Sequence, residues 1–153
     1  MLLPDFQQMR QIFQPDPATA SPPTIAVVGL SPKEQRPSNQ VARYLLVCGF
    51  RVIPINPGQE RILGRPCYPS LTAAVAVEGV LEIVVVFRRP EQVLPVVDEA
   101  VAVGATTLWL QEGVVHQEAA ARAAAAGLQV VMDKCIKTVH QGLQNQLPQP
   151  GKA

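Results

Sequence analysis

The sequence predicts an α/β domain in which one parallel sheet is covered by helices on both faces. Three observations carry that expectation. Valine-rich apolar runs of strand length (IAVV, IVVVF, LQVVM) are bounded by Gly or Pro, as interior strands of a parallel sheet are. Segments of helical period fill the gaps between them. The strand–helix unit recurs every roughly 25–30 residues, the spacing of βαβ units.

At 153 residues, 48% hydrophobic and 16% charged, the chain is long enough to bury one substantial core. Asp5 to Phe13 forms a short helix with Phe6, Met9 and Phe13 on one face, and a proline-rich linker follows up to residue 23. Strands are expected at Thr24–Gly29, Arg51–Asn56, Leu81–Phe87, Thr106–Leu110 and Leu128–Met132. A first crossover helix begins near Ser38, presents Val41, Tyr44, Leu45 and Cys48 on one face, and ends at Gly49. A short helix follows Ser70 as N-cap. Another carries Val93, Val96, Val97, Ala100 and Val101, with Pro95 in its first turn. The alanine-rich HQEAAARAAAAG segment has the highest intrinsic helix propensity and stops at Gly127. The expected fold is a Rossmann-like three-layer domain with a five-stranded parallel sheet in the order 3-2-1-4-5. Flavodoxin-like and response-regulator-like orders stay open on sequence alone. The expected organisation is a helix and linker over 1–23, the domain over 24–140 and a tail over 141–153.

Net charge is +1, which argues against binding to nucleic-acid backbones. No run of about 18 apolar residues marks a membrane span, and the first residues lack the features of a signal peptide. Cys48, Cys67 and Cys135 are odd in number without CxxC spacing, so a reducing cytoplasm is the expected location. No His, Asp or Glu grouping has metal-ligand spacing, and no metal is expected.

In such folds ligands bind beyond the carboxyl ends of the strands. Lys33, Arg36, Arg88, Arg89 and Lys134, five of the thirteen basic residues, fall in those loops. In a nearly neutral chain this pattern points to an anion pocket. Pro37-Ser38-Asn39 opens a helix whose free N–H groups suit a phosphate, and Gly29 allows close backbone approach. The same stretch also reads as a capped helix with solvated charges. GLSPKE stands where a GxGxxG fingerprint would, and Asn56-Pro57 where an acidic residue would receive ribose hydroxyls. Both weaken a nicotinamide-dinucleotide reading. Arg88 can pair bidentately with phosphate or stand as a strand-end charge. Trp109 is core or a lid, with core favoured. Gln111, Glu112 and Gly113 form a turn, and Glu112 serves a ligand or simply the helix dipole. Cys135 beside Lys134 is a reactive thiol or a small buried residue. His140 has no partner evident from spacing, and a Cys135–His140 pair has nothing specific behind it.

The ordered motifs IAVVGLSPKEQRPSNQVARYLLVCGFRVIPINPGQERILGRPCYPSL, VVVFRRPE, LWLQEGVV and VMDKCI, spanning about Thr24 to His140, resemble the small stand-alone CoA-binding proteins. These are similar to the CoA-binding domain of the succinyl-CoA synthetase alpha subunit. The resemblance implies that the first loop wraps the phosphates through Gly29, Leu30, Ser31, Lys33, Arg36, Pro37, Ser38 and Asn39. It implies that Asn56, Pro57, Phe87 and Arg88 complete the nucleotide site, with Gln111, Glu112, Gly113, Lys134 and Cys135 near the pantetheine arm. The chain departs from the family pattern at Val85 and Val139, where relatives carry acids, so no role of those acids carries over. The synthetase's phosphorylated histidine and ligase domain have no counterpart here. The expected function is therefore a CoA or acyl-CoA binding module taking a small nucleotide ligand, with no demonstrated catalysis. The alternatives are an NAD(P)-binding oxidoreductase and a Cys135-dependent acyl-transfer enzyme. Homo-oligomer or protein partner is left open.

Overall fold

The computed structural model describes residues 4–146. In chain order the elements are α1 (Phe6–Ile12), β1 (Thr24–Val28), α2 (Pro37–Val47), β2 (Arg51–Ile55), β3 (Arg61–Ile62) and β4 (Arg65–Pro66). There follow α3 (Leu71–Glu78), β5 (Ile83–Val86), a 3-10 turn (Pro90–Gln92), α4 (Val93–Ala102), β6 (Thr107–Leu110), α5 (Gln117–Ala125), β7 (Gln129–Val131) and α6 (Ile136–Gln146). The five expected strands and their intervening helices are all present, and the five strands pair in parallel.

The strand order is β2-β1-β5-β6-β7. In terms of the five principal strands this is 2-1-3-4-5, the flavodoxin-like order, and it corrects the expected 3-2-1-4-5. The physical reason is Pro54. It sits within β2 opposite Val27, and its carbonyl accepts from Tyr68 N–H on the strand's outer side. A residue's N and C=O point to the same side of a strand, so the missing Pro54 N–H also falls on that outer side. A proline of this kind is tolerated on an edge strand and costs an interior one a ladder bond. The β5 run, buried at every position, occupies the interior place beside β1 instead.

Among the described residues each face of the sheet carries three helices. On one side Ala26, Val28, Val84, Val86 and Leu108 pack against Leu71, Ala74, Val93, Val97, Ala119, Ala120 and Ala123 from α3, α4 and α5. On the other side Ile25, Val27, Val85, Trp109 and Val131 meet Val41, Leu45, Ile136 and Leu143 from α2 and α6, with Phe13 beyond α1. The alternation of these two sets along β1 and β5 follows from the period-2 geometry of strands. Trp109 is fully buried and donates its indole N–H to Lys134 O at 2.8 Å, which makes it core.

Two elements escape the sequence reading. The β3–β4 hairpin turns at Leu63-Gly64, both with positive φ, and is followed by Tyr68, which bridges the β2 edge at Ile55. Helix α6 runs six residues past the expected boundary at 140; residues 147–153, most of the expected tail, lie outside the described residues. Among the described residues no helix is long and apolar enough to cross a membrane. Helix α1 forms as expected, with an Asp5–Gln8 capping box, but only part of its expected face docks. Phe13 is buried while Phe6 stays 41% exposed.

Phe13 fits between Phe50, Trp109 and His140, with ring centroids 5.9, 5.7 and 5.0 Å away. His140 is only 5% exposed, and burial holds its imidazole below the ordinary value of 6.5. On acidification the unfolded chain therefore takes up this proton before the folded one. Stability present above pH 6.5 should decline as the pH falls below that value. Urea midpoints measured from pH 7.5 to 5 should show this slope, and a folded His140→Gln variant should lack its share of it.

Candidate functional site

The reversal in strand order places a crevice between the carboxyl ends of β1 and β5, where ligands of doubly wound sheets bind. Gly29 ends β1 with φ +86°, and a Cβ there would lie 2.1 Å from Phe87 O. Only glycine permits this approach of the two strand ends. Gly29 N–H donates to Ile55 O at 2.9 Å on the opposite side, and Phe87 N–H donates to Val28 O at 2.8 Å. The floor of the crevice is thus three strand ends tied together by backbone hydrogen bonds.

The loop leaving Gly29 is held by its own side chains. Ser31 N–H donates to Ser38 Oγ at 3.0 Å, and Lys33 N–H to Ser31 Oγ at 3.1 Å. Asn39 donates to Ser31 O at 2.9 Å and accepts from Arg43 Nε at 2.9 Å, while Arg43 reaches Glu34 O at 2.7 Å. Ser38 and Asn39 are buried, and their side chains brace the loop. Helix α2 begins at Pro37 with Arg36 as N-cap and no side-chain capping bond, so its first-turn N–H groups keep their positive polarity toward the crevice. Gly29, Ser31, Lys33, Arg36, Pro37, Ser38 and Phe87 line a cavity of about 370 Å³.

A second cavity, of about 540 Å³, shares Phe87 and is lined by Arg88, Arg89, Gln92, Gln111, Glu112 and Gly113 among others. The predicted basic residues therefore divide, with Lys33 and Arg36 in one cleft and Arg88 and Arg89 in its neighbour. Asn56 donates its amide to Leu30 O at 2.9 Å and accepts from Gly58 N–H at 2.8 Å. It ties the turn after β2, with exposed Pro57, to the first loop. Leu30 is fully buried and anchors that loop in the core.

Gln111 is also buried, and its Oε1 accepts the first free N–H of α6, from Ile136, at 2.8 Å. Gly113 N–H donates to Asp133 at 2.8 Å, joining the loops after β6 and β7. Lys134 and Cys135 follow, outside the two clefts. Burial raises the Cys135 thiol, but donors from Thr138, Gln111 and Lys137 outweigh it and leave the thiol below its ordinary value of 9.0. Cys67 goes the other way, raised mainly by burial. Among the described residues no group of three His, Cys, Asp or Glu side chains is placed to hold a metal ion.

Sequence reasoning missed the bracing role of Arg43 and of buried Asn39, whose i,i+4 spacing was the available signal. It also left His140 without a partner. The imidazole faces Tyr44, at 2.6 Å from its hydroxyl, and Cys48 rather than Cys135 lies beside it.

A family model described as a CoA binding domain matches residues 23–141. The uncharacterized protein YneT of Bacillus subtilis strain 168 is 39% identical over 116 residues, 76% of this chain and 84% of its own. A hypothetical protein from Pyrococcus horikoshii OT3 superposes with a TM-score of 0.82 at 35% identity, covering 92% of this chain and 93% of that one. The dinucleotide-forming acetyl-coenzyme A synthetase 1 of Ca. Korarchaeum cryptofilum superposes with a TM-score of 0.65 at 25% identity, covering 82% of this chain but 28% of the synthetase.

Two outcomes test this geometry. Gly29→Ala should cost more than about 2 kcal/mol, because a left-handed φ is joined by a backbone clash. Gly113→Ala, with φ +86° and open space around the added atom, should cost about 1 kcal/mol in the same denaturant titration. In iodoacetamide labelling across pH 6–10, Cys135 should reach half its maximal rate below pH 9.0 and Cys67 above it.

Proposed function

The chain belongs to the CoA binding domain family, and on that premise we propose that it binds CoA or an acyl-CoA at the β1/β5 crevice. One observation carries the reading: the first loop is already built as an anion cradle. Gly29 brings the backbone against Phe87, the N-terminus of α2 is left without a side-chain cap, and Lys33 and Arg36 open into the same cleft. Aligned N–H groups and a helix dipole favour a pyrophosphate there, and the two cations neutralise it at short range.

The remaining groups suit the rest of such a ligand. Asn56-Pro57 borders the first loop on the side of β2, where an adenosine would lie. Arg88 stands in the adjoining cleft and is, with Lys33 and Arg36, a candidate for the ribose 3′-phosphate. The pantetheine arm, flexible and mostly uncharged, would run past Gln111 to Gly113 toward Lys134 and Cys135. Ser38, Asn39 and Gln111 contribute through the backbone they hold. The residue after β2 is Asn56, its amide bonded to Leu30 and Gly58, in place of the carboxylate that receives the ribose hydroxyls of NAD. Three free cysteines suit a reducing compartment, the cytoplasm. Binding needs no reaction, and we read the protein as a ligand-binding module.

Thermal unfolding in the presence of CoA, 3′-dephospho-CoA, NADP, FMN or ATP tests the assignment. A selective ligand at 100 times its Kd stabilises by about 2.7 kcal/mol; CoA should do so and dephospho-CoA less. Lys33→Ala, Arg36→Ala and Arg88→Ala should each weaken CoA by about 1.5–3 kcal/mol where a charged hydrogen bond is lost. The variant that abolishes the preference over dephospho-CoA identifies the 3′-phosphate ligand. Equal or absent shifts across the panel would refute CoA as the ligand.

A further inference from the structure

At the amino edge of the sheet, opposite the crevice, lies a cavity of about 450 Å³ lined by Phe13, Pro15, Pro22, Tyr44, Cys48, Phe50, His140 and Gln144. Its walls are aromatic rings and prolines, and its polar groups converge on one imidazole. His140 Nδ1 is 2.6 Å from the Tyr44 hydroxyl and 4.0 Å from Cys48 Sγ; Nε2 lies 3.3 Å from the Gln144 amide nitrogen. Tyr44 and Phe50 hold the ring edge-on at 5.6 and 5.3 Å. Cys48 itself is exposed, so the thiol meets solvent while its neighbouring base is buried.

We propose that this cavity is a thiol-modification site, in which Cys48 forms a mixed disulfide with a small disulfide bearing aromatic or apolar groups, and His140 carries the proton. Cys48 Sγ attacks one sulfur of the incoming disulfide, and its proton passes to the Tyr44 oxygen as the Tyr44 hydroxyl proton moves to His140 Nδ1, 2.6 Å away. The new S–S bond forms as the old one breaks, and the departing thiolate takes a proton from the Tyr44 hydroxyl as Nδ1 returns its own to the Tyr44 oxygen. The incoming disulfide is the oxidant, so electrons and protons balance without another reagent. A half-turn of the Gln144 amide sets its oxygen on Nε2–H and leaves Nδ1 as the acceptor, and the Tyr44 hydroxyl carries the proton between Cys48 and the ring, donating to the neutral imidazole and accepting from the protonated one.

Burial keeps the imidazole below its ordinary value, so at neutral pH it is uncharged and able to accept a proton. The groups facing it are Tyr44 and Cys48 from the end of α2, Gln144 from α6, and the uncharged rings of Phe13 and Phe50. Lys137 of α6 lies beyond, with its ammonium 5.7 Å over the Tyr44 ring. Burial, and then a hydrogen bond with Cys48, push the Tyr44 hydroxyl up, which keeps it protonated throughout the working range. The proposal is independent of the CoA reading, because the two sites lie at opposite ends of the strands.

The test is to treat the whole protein with 4,4′-dithiodipyridine and, separately, with 2-hydroxyethyl disulfide, following each cysteine by mass spectrometry of quenched digests. Cys48 should react fastest with the aromatic reagent. Its preference for that reagent should exceed, by about ten-fold, the preference of the same cysteine in urea-unfolded protein. His140→Gln should slow the folded reaction by about ten-fold or more and remove an inflection below pH 6.5 from the rate profile. Phe50→Leu should reduce the aromatic preference while leaving the hydroxyethyl rate unchanged, which keeps the test alive should the His140 variant unfold. An unchanged Cys48 rate in a folded His140→Gln protein would overturn the proposal. So would equal reagent preference in folded and unfolded chains.

Discussion

The contact between Gly29 and the carbonyl of Phe87 is the constraint from which the rest of the architecture follows. At φ +86°, with room for no Cβ, the chain turns off β1 directly over the end of β5. That turn lets α2 start close above the sheet and leaves a crevice where the loops after β1 and β5 diverge. A bulkier residue would lift the first loop away from the strand ends. The loop's bracing by Ser31, Ser38, Asn39 and Arg43 would then have no fixed base. The candidate site is thus a consequence of backbone packing before it is an arrangement of charges.

The two ends of the sheet divide the molecule's chemistry. The carboxyl end gathers cations, backbone N–H groups and glycine turns, all suited to an extended anionic ligand. The amino end gathers aromatic rings, prolines and a neutral imidazole. Helix α2 joins the two, with its open N-terminus in the first cleft and Tyr44 and Cys48 near its other end. Helix α6 runs alongside, from the Gln111-bound N–H of Ile136 to the His140 cavity. The same pair of helices therefore supports both sites, and their shared core of Val41, Leu45, Ile136 and Leu143 keeps each in register with the sheet.

Much of the fold was legible because its signals are local. Ser70 was readable as an N-cap, and its hydroxyl accepts from Ala73 N–H as such caps do. The valine runs and helix-stopping glycines marked the main strands and crossover helices. The β3–β4 hairpin was not legible, since two-residue strands carry no period. Helix α6 was overlooked because IKTVHQGLQNQ is polar, contains Gly142 and gains its stability from packing Ile136 and Leu143 on the core. Pro54 did signal an edge strand, and weighing it would have given the right strand order. The cation-bearing loops of the site were readable from their positions after strands. The commitment of Ser38, Asn39 and Gln111 to bracing was not, because it depends on which backbone atoms lie opposite them.

By itself the sequence determined the α/β class, the placement of basic residues in the loops after strands, and membership of a CoA binding domain family. Those properties reside in short-range periodicity, turn chemistry and the order of motifs along the chain. Only the tertiary structure decided that β5 lies beside β1, that Lys33 and Arg36 share one cleft while Arg88 stands in the next, and that His140 meets Tyr44 and Cys48. The last pairings join residues 96 and 92 positions apart, and no local pattern specifies such a meeting. It is set by how two helices dock on one face of a sheet, where close packing of the shared core allows few alternatives.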